Sequence, residues 1–170
     1  MPGVKVKARW RLGPPLVLAT LVAVALWNVA CSCDPGGGGA SGESLVGGGW
    51  GNFQGMATTN YYGMFHGFRS TAYAEVKSRV GAAGTLTAFS GAITAAPPTG
   101  SWSFTVFKNG VAQTMACSIS GASTSCVDAT SCIDLAAGDE IAVEVVPSGA
   151  SANAGGPRWT AVFAAGDACP

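Results

Sequence analysis

Apolar and polar residues alternate with period two along much of the chain beyond residue 60, and no stretch of eleven residues keeps the three-and-four spacing of a helix. The clearest alternation lies at Ser101–Lys108, where Trp102, Phe104 and Val106 are interleaved with Ser103 and Thr105. That pattern predicts a strand with one buried face. Asn109-Gly110 follows, and this pair suits the two positive φ angles of a type I′ hairpin turn. Register counted from the turn sets Phe104 opposite Met115 and Trp102 opposite Cys117. A second turn is predicted at Gly121-Ala122, with glycine at the first central position as type II′ requires. Counted from there, Cys117 faces Cys126 in a non-hydrogen-bonded pair, where cross-strand side chains come closest. The two turns together predict a three-strand meander with both cysteines on the face of Trp102.

The same reading predicts strands at Asn60–Met64, Ala72–Val80, Gly84–Ile93, Val111–Ser120, Ser123–Asp128, Ser131–Leu135, Glu140–Val146 and Arg158–Ala164. Breaks fall at glycines and at Ala96-Pro97-Pro98-Thr99-Gly100, Gly138-Asp139, Pro147-Ser148-Gly149 and Gly155-Gly156-Pro157. Many short strands with frequent turn signals imply an all-β domain, an antiparallel two-sheet sandwich or jelly roll. Residues 52–170 have the length to close one such core.

The front of the chain follows other rules. Lys5, Lys7, Arg9 and Arg11 lead into Leu16–Ala30, an apolar run broken only by Thr20 and Asn28. Its 15 residues suit the core of a signal peptide better than a membrane span of about 20. Cys31 directly after Val29-Ala30 resembles a bacterial lipobox, where the cysteine becomes lipidated; Asn28 departs from its aliphatic preference. Residues 1–31 therefore read as a signal peptide or membrane anchor, and the protein as exported to the cell envelope or an extracellular surface. Residues 32–51 hold Gly36–Gly39, Gly42, Gly47–Gly49 and Gly51, the composition of a flexible spacer. Leu45, Val46 and Trp50 are its apolar exceptions, suited to docking on the domain.

Charge narrows the partners. Only 11% of residues are charged, and residues 31–170 carry five basic and nine acidic side chains, a net of −4. Nucleic acid binding rests on clustered Lys and Arg, so it is not expected.

The series AAGTLTAFSGAITAAPPTGSWSFTVFKNGVAQTMACSISGASTSCVDA, with IDLAAGDEIAVEVVPSGA and PRWTAVF after it, resembles the C1q/TNF-like jelly-roll modules of bacterial surface proteins and phage fibres. The resemblance covers about Ala72 to Phe163 and consists of turn and core signatures. It implies a jelly roll assembled as a homotrimer about a threefold axis. Cys132 stands where the resemblance leads one to expect a polar residue, and Cys169 lies just past the last strand.

Candidate chemistry is sparse. Of the six cysteines, Cys31 and Cys33 belong to the processing region; in an exported chain the other four read as disulfides, and the register selects Cys117–Cys126 with Cys132–Cys169. Zinc is disfavoured, because the intervening spacings are eight, five and 36 residues and His66 is the only histidine. A nucleophile-base pair would have to use that same histidine, and no cofactor motif is present. Asp128, Asp134, Asp139 and Glu140 fall within 13 residues and offer calcium's oxygen ligands without EF-hand spacing, though turn formation and solubility explain them more simply. Glu144 alternates with Val143 and Val145 as an outward strand residue. Tyr61, Tyr62, Phe65, His66 and Phe68 crowd one segment, where they suit core packing, a subunit interface or a sugar face. The expectation is a non-catalytic adhesion or display head that meets a glycan or surface receptor. The alternatives are a monomeric carbohydrate-binding module and a virion or phage appendage.

Overall fold

A computed structural model describes residues 42–49, 58–149 and 156–170. The targeting segment 1–31 with Cys31 lies outside the described residues, as do residues 32–41 and Trp50. The described residues form β1 (Glu43–Gly49), β2 (Asn60–Gly63), β3 (Arg69–Ser70), β4 (Ser78–Arg79), β5 (Gly84–Ala92), β6 (Ser101–Lys108), β7 (Val111–Ser120), β8 (Ser125–Asp128), β9 (Ile133–Leu135), β10 (Glu140–Ser148) and β11 (Arg158–Ala165). One antiparallel sheet has the order β1-β11-β5-β8, with β9 also paired to β5; the other runs β3-β2-β10-β6-β7, with β4 also paired to β10. Inward residues of both sheets share one core that includes Trp102, Phe104, Val143 and Val145 from one and Leu86, Phe89, Ile133 and Trp159 from the other. The domain is an all-β sandwich.

β6 and β7 have the bounds that alternation and turn chemistry predict. Residues 72–80 differ from the predicted strand: they form a 3₁₀ turn at Tyr73–Glu75 and then the two-residue β4. Side-chain bonds explain the difference, since the Ser70 hydroxyl donates to Glu75, and Tyr73 and Lys77 both reach Glu140.

The glycine-rich stretch at 32–51, read from composition as coil, contains β1, which pairs with β11 from Glu43↔Ala164 to Gly49↔Arg158. Val46 packs against the core, and a Cβ on Gly48 would stand 2.9 Å from the Trp159 ring. The glycine is there for close approach to an indole, a use composition does not distinguish from flexibility. The sheet therefore begins before residue 52.

Asn109 and Gly110 have φ values of 51° and 80°, so the type I′ turn forms. Next to it the predicted register holds, with Lys108↔Val111 and Phe107↔Ala112. A bulge in β7 then shifts the pairing, so Phe104 faces Cys117, not Met115, and Trp102 faces Ile119, not Cys117. The shift is by two residues and preserves the face, which is why Met115 and Ile119 still enter the core. The second turn also forms: Gly121 has φ 61° and the Ser123 N–H donates to the Ser120 carbonyl at 3.3 Å. The strand beyond it, however, crosses to the other sheet, where Cys126 lies opposite Gly91 of β5. The meander is thus a corner between sheets. β8 sends little apolar surface inward, and the unpaired edge of β5 supplies the backbone partners that decide where it pairs.

Both predicted disulfides are present, Cys117–Cys126 and Cys132–Cys169, each with Cα atoms 5.7 Å apart. The first joins the two sheets, because its cysteines belong to different ones. A Cβ on Gly91 would lie 2.8 Å from the Phe104 ring and 3.2 Å from Cys126 Sγ, so the sheets touch closely beside this bond.

Candidate functional site

The aromatic segment that sequence treats as one cluster is divided three ways by strand alternation. In β2, Asn60 and Tyr62 face inward; Tyr62 is fully buried with its ring centroid 5.1 Å from that of Trp159. Burial pushes the Tyr62 phenol well above its usual range, and its place is the core, not a surface site. Tyr61 points outward from the six-stranded sheet. Phe65 and Phe68 project from the loop after β2 and are 47% and 62% exposed. His66 lies between them, accepting the Phe68 N–H on Nδ1 at 3.2 Å. Its ring covers Gly63, where any Cβ would collide with it.

Tyr61 has two partners that sequence reading missed. Its centroid lies 5.3 Å from Phe107 and 6.1 Å from Tyr73, both in edge-on geometry, and Tyr73 lies 6.1 Å from Phe107. A signal was present: Phe107 is an aromatic residue at a polar position of the β6 alternation, one step out of phase with Val106. The three rings are partly exposed on the outer face of the sheet, above the fully buried Ala142 that pairs with Phe107. Edge-to-face packing lets them satisfy one another's quadrupoles and does not leave one flat platform. Burial raises the Tyr61 phenol, with the Glu144 hydrogen bond and charge adding to it; burial likewise raises that of Tyr73. Glu144, half exposed, is thus the acidic member of this outer face.

The acidic residues are each engaged separately. Asp128 accepts from the Ala116 N–H at 3.1 Å, the Thr130 N–H at 3.2 Å and the Ser131 N–H at 3.0 Å. Burial pulls its pKa up, but the Ser131 hydroxyl and these backbone donors together outweigh it and hold it at about 2. Asp139 sits after Gly138 (φ 92°) and accepts from Asn109 Nδ2 and the Ala136 N–H, each at 2.8 Å, with Lys108 Nζ 3.1 Å away. Those bonds, the Asn109 amide foremost, lower its pKa. Glu140 pairs with Lys77 at 2.7 Å and Arg79 at 3.5 Å, and the Lys77 bond lowers its pKa. Asp134 accepts the Cys169 N–H at 2.8 Å and so holds the chain end beside the second disulfide. The four do not converge: among the described residues no group of three or more His, Cys, Asp or Glu is placed to hold a metal ion.

No family model and no curated protein matches the chain.

Three arrangements stand out. The outer aromatic face comprises Tyr61, Tyr73, Phe107 and Glu144. The exposed loop carries Phe65, His66 and Phe68. A polar lattice about the Asn109-Gly110 turn completes the set, where Asn109 Oδ1 also accepts the Glu140 N–H at 2.8 Å. The first two offer aromatic contact surface; the third spends its charges on holding turns together. No enclosed cavity is found among the described residues.

Proposed function

We propose that the protein is a non-catalytic, exported head, displayed at a surface for adhesion or structural presentation and assembled as a trimer. The observation that carries this reading is how the polar side chains are used. Asp128, Asp134, Asp139 and Glu140 each hold a turn, a strand end or a neighbouring cation. Two disulfides brace the same region. Such bracing suits a head that must persist outside the cell, where disulfides are stable. With β3 and β4 set aside and β8 and β9 taken as one strand, the first and last strands pair and successive strands alternate between sheets except across the β6–β7 hairpin. That order supports a jelly roll. Residues 1–31, with Cys31, would tether the head to the membrane directly or through lipid. The exposed Phe65 and Phe68 are the residues proposed to meet a glycan or surface receptor, with binding multiplied by valency across the assembly. A virion or phage appendage is the same reading in another setting.

The test is the solution mass of oxidised residues 40–170 by size-exclusion chromatography with light scattering. A mass of three chains is expected; a clean monomer at all concentrations would sink the trimer. The second reading, a monomeric carbohydrate-binding module, rests on the partial exposure of Tyr61, Tyr73 and Phe107, whose edge-to-face packing leaves no single flat platform for a sugar. It requires sugar-dependent quenching of tyrosine fluorescence that Tyr61→Ala abolishes.

A further inference from the structure

The free edges of the two sheets are treated differently. β7 ends one sheet, and its edge is occupied: the bulge interrupts it, the Ala116 N–H is taken by Asp128 and the Thr114 carbonyl accepts the Ser131 hydroxyl. These are devices that keep an edge strand from pairing with another chain. β1 ends the other sheet and carries none of them. Among the described residues it pairs only with β11, its register runs unbroken through seven residues, and it contains no Pro, Lys or Arg. Its outward Leu45 is 76% exposed. The loop bearing Phe65 and Phe68 lies alongside, since a Cβ on Gly48 would stand 3.0 Å from the His66 carbonyl. Of the five large exposed apolar side chains among the described residues, three, Leu45, Phe65 and Phe68, therefore belong to this margin.

We infer that β1 pairs antiparallel with β1 of a second copy of this chain, joining their sheets across a twofold axis at Val46. Two features of β1 select its own copy as occupant. Centred on Val46, antiparallel pairing sets Leu45 of one copy opposite Gly47 of the other, so each leucine covers a place without a side chain. Its one charge, Glu43, then faces Gly49, and the two carboxylates stand about 20 Å apart at ~3.4 Å per residue. Parallel pairing would instead place Glu43 beside Glu43, which is unfavourable. The contact is isologous, closes after two copies and leaves no β1 edge exposed. It is separate from the threefold assembly proposed above and adds a factor of two to whatever that assembly is.

The test uses the full chain, with p-benzoylphenylalanine at residue 45 and isotopically light and heavy copies expressed together and irradiated in membranes. The expected product has twice the chain mass and links residue 45 of one copy to residues 46–48 of the other. With the photoreactive group moved to residue 44, Leu45→Lys should cut the yield about tenfold, through like charges near the axis, and leave the near-ultraviolet circular dichroism unchanged. An adduct with lipid or another protein, an adduct on another face of a second copy, or no adduct would each overturn the inference. An adduct away from β1 within a three-chain species would overturn it while leaving the trimer standing.

Discussion

Where β7 meets β8, the two sheets are joined by the Cys117–Cys126 bond and by the Ala116 N–H donated to Asp128. Where β1 meets β2, the described residues show no covalent link: Trp159 donates its indole N–H to the Met64 carbonyl at 3.1 Å and otherwise holds the margin by packing on Tyr62 and beneath Gly48. The sandwich thus closes one side with specific bonds and the other with one large side chain. A bonded margin resists separation even when its packing is poor. A packed margin is only as strong as its central residue. Removing Trp159, which is 1% exposed, should therefore be the most damaging single change. Trp159→Ala is expected to cost about 3–5 kcal/mol in denaturant unfolding. A loss below 1 kcal/mol would mean that the bonded margin alone maintains the fold.

On the bonded side, Cys117→Ser with Cys126→Ser opens a loop with a sequence separation of nine. Chain-entropy arguments give about 2–3 kcal/mol for a closure of this size. Denaturant unfolding with and without reductant checks it: wild type should fall toward the double variant when reduced, after allowance for the second disulfide. Gly91→Ala probes the same margin without touching a bond. Its Cβ would press on the Phe104 ring at 2.8 Å, an overpacking expected to cost about 1–3 kcal/mol. The penalty should shrink in the Cys117→Ser, Cys126→Ser background, where the sheets can move apart; equal penalties in both backgrounds would show that the disulfide does not set the sheet separation.

The comparison also explains what could be read from residues alone. Period-two alternation and turn chemistry are local, and they locate β5, β6, β7, β10 and β11 closely. The Cys117–Cys126 bond was legible because both turns form as their residues dictate, although the cross-strand pair expected for it does not, since the two cysteines lie in different sheets. Which sheet receives β8 was not, because that depends on the open edge of β5, far away in sequence. The bulge in β7 escaped for a related reason: it is fixed by Asp128 of β8 and by Ser131 in the loop after it, both reaching back. In β1 the glycine run conceals a strand, since its place is set by Trp159, over a hundred residues later. The candidate site shows the same division. Tyr61 and Tyr62 are neighbours in sequence and lie on opposite faces, while Tyr73 and Phe107 join Tyr61 only through tertiary pairing.

The smallest predicted effect belongs to the noncovalent bond of the closed margin. The Asp128 carboxyl titrates at about 2 in the folded chain against an ordinary 3.8, so folding favours its ionised form. That contribution is fully present above pH 3.8 and is lost as the pH falls toward 2. Because the group is partly solvated, screening limits it to about 1 kcal/mol. Asp128→Asn replaces one accepting oxygen with a donor, which faces either the Ala116 N–H or those of Thr130 and Ser131. Urea unfolding should show the variant weaker by about 1 kcal/mol at pH 6, with the gap closing as wild type becomes protonated near pH 2. A gap that stays constant across this range would mean that Asp128 acts through shape and not through its charge. The disulfide and the Asp128 bonds would then both be independent of charge, and acid should leave the separation of the sheets unchanged.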